Sequence, residues 1–409
     1  MRIGVFGGTF DPIHKAHMEV AEFARDQFEL DLIYIVIAGD PPHKQGERTP
    51  GEIRYEMVKR ACIGRKGLMA SDIELKREGK SYTVDTLKEF RRIHPSDELF
   101  LIIGADMLAS FESWYKPDEI LQSVQLIAVG RMNIDTEAIA KHIGEKYGSK
   151  VLISSMLEMD ISSTQIRDAV KNARSISGLV EQDVAIYIYE SGCYMEPEYN
   201  LYRQKLQKDL APQRYLHSIG TSYYAVELAC FYGADSKKAR IAGLLHDCAK
   251  LPSYQAQIAL AIAYHMPDTV IALAPALLHA PLSGVRAKCE YDIDDVEIIN
   301  AIDCHTTGRE NMTLLDKIIF VADKAEPVRE YEEAGELRKL VFGGIDKAVL
   351  FAMDRSIEHA KSKGGKIDNR TQIARESIIK SVEENQGVES LGKRCWSCAE
   401  YLTIVRQRT

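Results

Sequence analysis

Nowhere does the chain gather the roughly 18 consecutive apolar residues that a membrane helix requires, so no spanning helix and no membrane partner are expected. Its N-terminus, MRIGVFGGTF, offers one basic residue and a short apolar run ending in glycines. A secretory signal needs a longer apolar core and a cleavage site, so none is expected. The eight cysteines are scattered without framework spacing, which excludes a disulfide scaffold and fits thiols kept reduced in a cytoplasm. Cys395 and Cys398 form a CxxC, but no second CxxC completes a zinc site. Positive charge is also short. A net charge of -8 excludes broad electrostatic binding to nucleic acid or anionic lipid. An anionic small substrate remains open, because local Lys, Arg and His placement decides that. Internal repeats and low-complexity segments are absent.

What is present is an ordinary globular composition, 45% hydrophobic and 27% charged, over 409 residues. That length suffices for two or three domains, each with its own core. Up to about Cys193, short β-rich runs alternate with helical periodicity. Strands are expected at Arg2–Phe6, Leu32–Ile37, Leu99–Ile103, Leu126–Val129 and Val151–Ser154, with helices such as His17–Phe28 and Ile53–Cys62 between them. The alternation predicts an α/β, Rossmann-like domain: a parallel sheet with helices on both faces and its ligand crevice at the strands' C-terminal ends. Near Gly192–Asn200 the pattern changes. Strand-like runs almost vanish, and long helical stretches such as Ser222–Tyr232, Lys237–His246, Asp294–Asp303 and Leu314–Pro327 predict an all-α domain. The expected division is 1–195, 196–387 and a tail over 388–409.

The segment Gly4 to Ala24, GVFGGTFDPIHKAHMEVAEFA, carries the strongest chemistry of the first half. Gly7 and Gly8 end a strand and let backbone approach a phosphate, followed by Thr9 and Phe10. His14 and His17 stand three apart at a helix start, beside unpaired amides and a positive helix end, an arrangement suited to polyphosphate. Taken singly, an HxxH more often caps a helix. The whole string, however, closely resembles the GGTFDPIHxGH signature of the nucleotidylyltransferase superfamily, with Ala16 where that family usually has glycine. ISSTQIR, Ile161 to Arg167, resembles the second signature; Ser162, Ser163, Thr164 and Arg167 would then join the first motif around the ATP phosphates.

Between these motifs AGDPPHKQG, GKSYTVDTLKEF and IIGADMLASFESWYKPDEIL resemble bacterial nicotinate-nucleotide adenylyltransferases. The resemblance implies that His43 and Lys44 serve the phosphates of the mononucleotide and ATP. It implies that Thr83 and Tyr115 amides hold the pyridine carboxylate, that Trp114 stacks on the ring, and that Gly104 and Asp106 line the adenosine side. A flat pyridinium binds well against an indole face. The reaction implied is in-line attack by nicotinate mononucleotide on the α-phosphorus of ATP, with Mg²⁺ on the triphosphate and His14, His17, Lys44 and Arg167 in catalysis. Nicotinamide mononucleotide or phosphopantetheine is the alternative acceptor.

In the helical half, His217, His246–Asp247, His279, His305 and Asp323 recur in apolar helical context. Their order resembles the HD superfamily of metal-dependent phosphohydrolases in its two-metal form. The likeness implies that Asp247 bridges two ions, with His217, His246 and Asp323 on one and His279 and His305 on the other. Nitrogen and oxygen ligands suit iron or another divalent transition metal. Lys250 and Arg309 would hold the phosphorus under attack. GLLHDCAK, HAPLSG, HTTGR and IIFVADKAEPVR resemble the bacterial branch that splits diadenosine tetraphosphate symmetrically into two ADP. No GYP tripeptide is present, which argues against the cyclic-dinucleotide branch. A nucleotide-sensing module without turnover is the alternative for this half. The charged run Glu326–Arg338 reads as solvated.

Overall fold

The computed structural model describes residues 1–40, 48–130, 134–156, 159–364 and 367–389. Contacts divide the chain into two compact units. The first comprises Met1–Arg167 with Ser177–Tyr187; the second comprises Asp168–Ile176 and the chain from Ile188 onward.

The first unit is built on six parallel strands: β1 (Arg2–Gly8), β2 (Leu32–Ile37), β3 (Leu68–Ser71), β4 (Glu98–Gly104), β5 (Gln125–Val129) and β6 (Val151–Ser154). Runs such as FLII and LIAV are buried on both faces, as interior strands of a helix-covered parallel sheet must be. The order is β3-β2-β1-β4-β5-β6, so β1 lies between β2 and β4, and the connections run outward from that centre in both directions. β3 escaped the sequence reading for a physical reason. It is a four-residue edge strand in which only Leu68 is buried, so it carries no alternation to detect. One face of the sheet packs Val5, Leu101 and Leu126 against Leu87, Phe90 and Phe111, with Trp114 and Tyr82 at the margin.

The second unit is helical among its described residues. Its hub is the helix Pro212–Tyr232, whose 21 residues include a buried stretch from His217 to Val226. Two of its buried hydroxyls find acceptors: Thr221 donates to the His217 carbonyl at 2.8 Å, and Ser222 to that of Arg240 at 2.8 Å. The helices Ser236–Leu245 and Leu314–Ala325 both pack on this hub, carrying the chain to His246 and placing Asp323 beside it. No described helix is long and apolar enough to cross a membrane.

Candidate active sites

In an open sheet of this order the ligand crevice lies where the connections diverge, here between the C-terminal ends of β1 and β4. Those ends are Gly7–Gly8 and Gly104. Around Gly7 a Cβ would meet nothing within 4 Å, so the backbone is open to a ligand. At Gly8 a Cβ would fall 2.7 Å from the Phe10 ring, so that glycine makes room for Phe10 rather than for phosphate. Phe10 has positive φ, 46°, and sets its ring edge-on to His17, centroids 4.9 Å apart. Thr9 follows Gly8 and is half-buried.

His14 caps the helix Lys15–Gln27, and His17 sits in its first turn. The rings stack with centroids 3.6 Å apart. The His14 amide donates to Nδ1 of His17 at 3.3 Å. A ring nitrogen that accepts carries no proton, so a neutral His17 holds its proton on Nε2 and presents a donor there. His14 is buried, and loss of solvent pushes its imidazole down to about 4. Its Nδ1 has no hydrogen-bond partner among the described residues. Between that value and the unfolded imidazole's 6.5, the unfolded chain binds more protons, so stability falls as pH drops through this window. The loss attributable to His14 is about 3 kcal/mol at most. His14→Gln should flatten that part of a stability profile measured by denaturant unfolding; identical profiles would contradict the assignment.

The second motif meets the first. Ser163 donates to the Pro12 carbonyl at 2.9 Å, and Arg167 donates to the Asp11 carbonyl at 2.8 Å and to Thr164 Oγ at 3.1 Å. Ser162 accepts from the Gln165 amide at 3.2 Å, which is a helix cap. Arg54, which sequence reasoning passed over, ties the same region together. Its buried guanidinium donates to the carbonyls of Thr9 at 2.7 Å, Ala38 at 3.0 Å and Thr49 at 2.9 Å. The signal was available: Arg54, Met57, Val58 and Ala61 share the i, i+3, i+4, i+7 stripe that faces inward.

On the acceptor side, Thr83 opens a helix just after Tyr82, whose ring lies 4.6 Å from that of Tyr115. Tyr115 is half exposed, whereas Trp114 is half-buried, packs on the sheet core and leans on Phe111 at 5.3 Å. Gly104 caps the short helix Ala105–Ala109, and Asp106 stands in its first turn. His43 and Lys44 lie outside the described residues, as do Cys395 and Cys398.

The second unit gathers its histidines and aspartates into one cluster. Two ligand groups share Asp247: His217, His246 and Asp247 form one, and Asp247, His279 and His305 the other. His217 Nε2 lies 3.1 Å from His246 Nε2 and 3.0 Å from Asp323 Oδ1. Asp247 Oδ1 lies 3.1 Å from His279 Nε2 and 3.5 Å from His305 Nε2. The remaining ring nitrogens explain the arrangement. His246 Nδ1 donates to the Gly243 carbonyl and His305 Nδ1 to the Ile302 carbonyl, each at 2.7 Å. Both Nε2 atoms therefore turn lone pairs toward carboxylate oxygens, and Asp247 Oδ1 is buried with no hydrogen bond. Facing lone pairs repel unless a cation lies between them, so this donor set fits divalent metal.

Protonation is tuned the same way. Burial alone would raise the Asp247 carboxyl, but His246, His279 and His305 outweigh it and hold the group well below the usual carboxylate range. Burial likewise opposes Asp323, and Lys324 with His217 and His246 outweighs it downward. Burial lowers His279 and His305, which favours the neutral ligating form.

Several groups here were not foreseen. Glu326, buried at 1% exposure, lies 3.1 Å from His217 Nδ1 and so orients that ring. Arg214 donates to Asp247 Oδ2 at 2.8 Å, and Arg329 to Asp323 Oδ1 at 3.1 Å. The reading of Glu326–Arg338 as solvated is thus overturned at Glu326, Arg329 and Arg338, the last of which donates to the carbonyls of Ala325, Glu326 and Arg329. Lys250 lies 3.5 Å from His279 Nε2. The Arg309 guanidinium pairs with buried Asp316 at 2.7 Å. Removing the carboxylate behind a metal-binding imidazole weakens metal about 10- to 100-fold. Glu326→Gln should do so in a competition titration, and an unchanged affinity would remove Glu326 from the site.

Comparison with known proteins follows the same division. The cytidylyltransferase-like family profile matches residues 5–169, and the HD domain profile matches residues 214–327. A probable nicotinate-nucleotide adenylyltransferase of Geobacter metallireducens is 39% identical over 212 residues, covering 47% of this chain and 98% of that protein. Another from Desulfitobacterium hafniense is 38% identical over 197 residues, covering 47% and 95%. Among solved structures, a predicted HD superfamily hydrolase involved in NAD metabolism from Clostridium acetobutylicum is 40% identical, with a TM-score of 0.42, covering 45% of this chain and 97% of that one.

Proposed function

The chain belongs, through its first half, to the nicotinate-nucleotide adenylyltransferase family, and from that premise we propose that it joins nicotinate mononucleotide to the AMP part of ATP, releasing deamido-NAD and pyrophosphate. The observation that carries this reading is the meeting of both signature motifs on the Asp11–Pro12 carbonyls, beside the β1–β4 crevice. The nucleotide phosphate attacks the α-phosphorus, a P–O bond forms there, and the bond to the β-phosphate oxygen breaks. Charge then grows on departing pyrophosphate, where the Nε2–H of His17, with His14, would stabilise it. Lys44 and His43 serve the phosphates, Arg167 holds the loop, and Tyr115 with Trp114 walls the pyridine pocket. Mg²⁺ accompanies the triphosphate.

The HD half we read as a metal-dependent phosphohydrolase within a functional domain spanning about 196–387, after a transferase domain over 1–195. The observation behind this is Asp247, shared by two groups of imidazoles, in which the Nε2 lone pairs of His246 and His305 face carboxylate oxygens. Two divalent ions, iron or a similar transition metal, would supply Lewis acidity and an activated water. His217, His246 and Asp323 would hold one, and His279 and His305 the other. The substrate we assign is diadenosine tetraphosphate: water oxygen bonds to one central phosphorus, the central phosphoanhydride breaks, and two ADP result.

Both activities are tested on the full chain. Labelled ATP with nicotinate mononucleotide, nicotinamide mononucleotide and phosphopantetheine should give product preferentially with the first. Steady ADP release from diadenosine tetraphosphate should require metal. Turnover with phosphopantetheine alone, or no hydrolysis in metal-replete protein, would overturn the respective half.

A further inference from the structure

We propose that Glu74 is a positioning residue for adenylyl transfer: with Thr86 it fixes the wall against which the acceptor nucleotide lies, so that its loss loosens the acceptor and not ATP. The inference rests on the adenylyl-transfer reading and adds to it a residue outside every motif identified in the sequence. Glu74 follows β3 and is buried. Its two oxygens accept from different segments: Oε1 takes the Thr86 hydroxyl at 2.7 Å, and Oε2 the Gly39 amide at 3.4 Å. Arg77 donates to the Thr86 oxygen at 3.0 Å, so the hydroxyl's single proton is left for Glu74. Donation thus runs one way, from Arg77 through Thr86 into Glu74.

The two segments joined are those that frame the crevice. Gly39 continues from Ala38, whose amide donates to the Gly8 carbonyl at 2.9 Å and whose carbonyl accepts from Arg54 at 3.0 Å, so this end is tied to the end of β1. Thr86 lies one turn on from Thr83 in the helix Thr83–Ile93, on the acceptor side with Tyr82 and Tyr115. A second pair closes the same junction: the Asp40 amide donates to Ser81 Oγ at 3.1 Å, and the Ser81 amide to the Asp40 carbonyl at 2.9 Å. Glycine is needed at position 39, where a Cβ would fall 2.7 Å from the Glu74 carbonyl oxygen. Packing alone does not call for this relay. Val84 and Leu87 of the same helix are core residues, and apolar groups of similar shape at Glu74 and Thr86 would cost little stability. What the paired polar groups supply is one fixed spacing between the end of β1, on the ATP side, and the helix start on the acceptor side.

The test is steady-state kinetics of the full chain, with ATP and nicotinate mononucleotide varied in turn. Glu74→Gln turns one accepting oxygen into a donor, and Thr86→Val keeps the shape but removes the hydroxyl. Each should raise KM for nicotinate mononucleotide about tenfold, the worth of one buried hydrogen bond. KM for ATP and the turnover number should stay within about twofold of normal. Thr86→Ser keeps the hydroxyl and should match the unaltered chain within about twofold. The double variant should be little worse than either single one, because both break the same relay. An unmoved acceptor KM, KM values that rise together for both substrates, or serine as damaging as valine would each overturn the role. Should Glu74→Gln fail to fold, the valine and serine variants decide alone. No turnover with nicotinate mononucleotide in the unaltered chain overturns adenylyl transfer itself, a distinct result that removes this role with it.

Discussion

Asp247→Asn is expected to cut phosphohydrolysis by about a thousandfold or more while leaving adenylyl transfer within about twofold of normal. Asp247 is the one residue common to both ligand groups, so its loss damages each. The substitution preserves shape but replaces an oxygen that lies 3.1 Å from His279 and 3.5 Å from His305 with half of a neutral amide. It also leaves Arg214 beside the cluster without its counter-charge. Metal content should fall in parallel, read by elemental analysis of the purified chain. Residual hydrolysis within about tenfold of normal, with metal retained, would deny Asp247 its bridging role. Loss of both activities would mean that the substitution unfolds more than one unit.

His17→Ala should lower the turnover number for adenylyl transfer by about a hundredfold or more and change KM for ATP far less, because the donor matters most as charge develops. The geometry sharpens this expectation. Nδ1 accepts the His14 amide, so the ring's orientation and proton position are fixed before any substrate arrives. His17→Gln, whose amide nitrogen reaches about where Nε2 stands, should recover roughly a tenth or more of the loss in free-energy terms. A near-normal turnover number in the alanine variant would sink the role; equal activity of alanine and glutamine variants would sink the donor account.

These residues were legible to different degrees. The strands of the sheet interior announce themselves as short runs buried on both faces, and the ligand histidines by their order within apolar helices. What sequence could not convey is the company each charge keeps. Glu326 and Arg329 sit in a run that looks solvated because it is dense in charge, yet Glu326 ends the Asp323 helix and the backbone turns extended there, bringing both side chains back to the cluster. Arg309 stands beside HTTG, and its pairing with buried Asp316 in the next helix is a contact that spacing alone does not announce. Trp114 packs on the sheet core while its neighbour Tyr115 is half exposed, a difference in burial that adjacent positions do not announce. Charge pairing is a three-dimensional relation; spacing along a chain can reveal that a residue faces inward, as the stripe carrying Arg54 does, but not which groups it meets.

Glu326 reaches His217 only because the hub helix carries glycine at position 220, where any Cβ would overlap the Glu326 carboxylate. Sorting related chains by their histidines and aspartates alone would therefore overlook one requirement of the cluster. A chain with every ligand intact but alanine at that position would push the Glu326 carboxylate off His217 and is expected to hold metal more weakly, its fault lying in a methyl group that touches no metal at all.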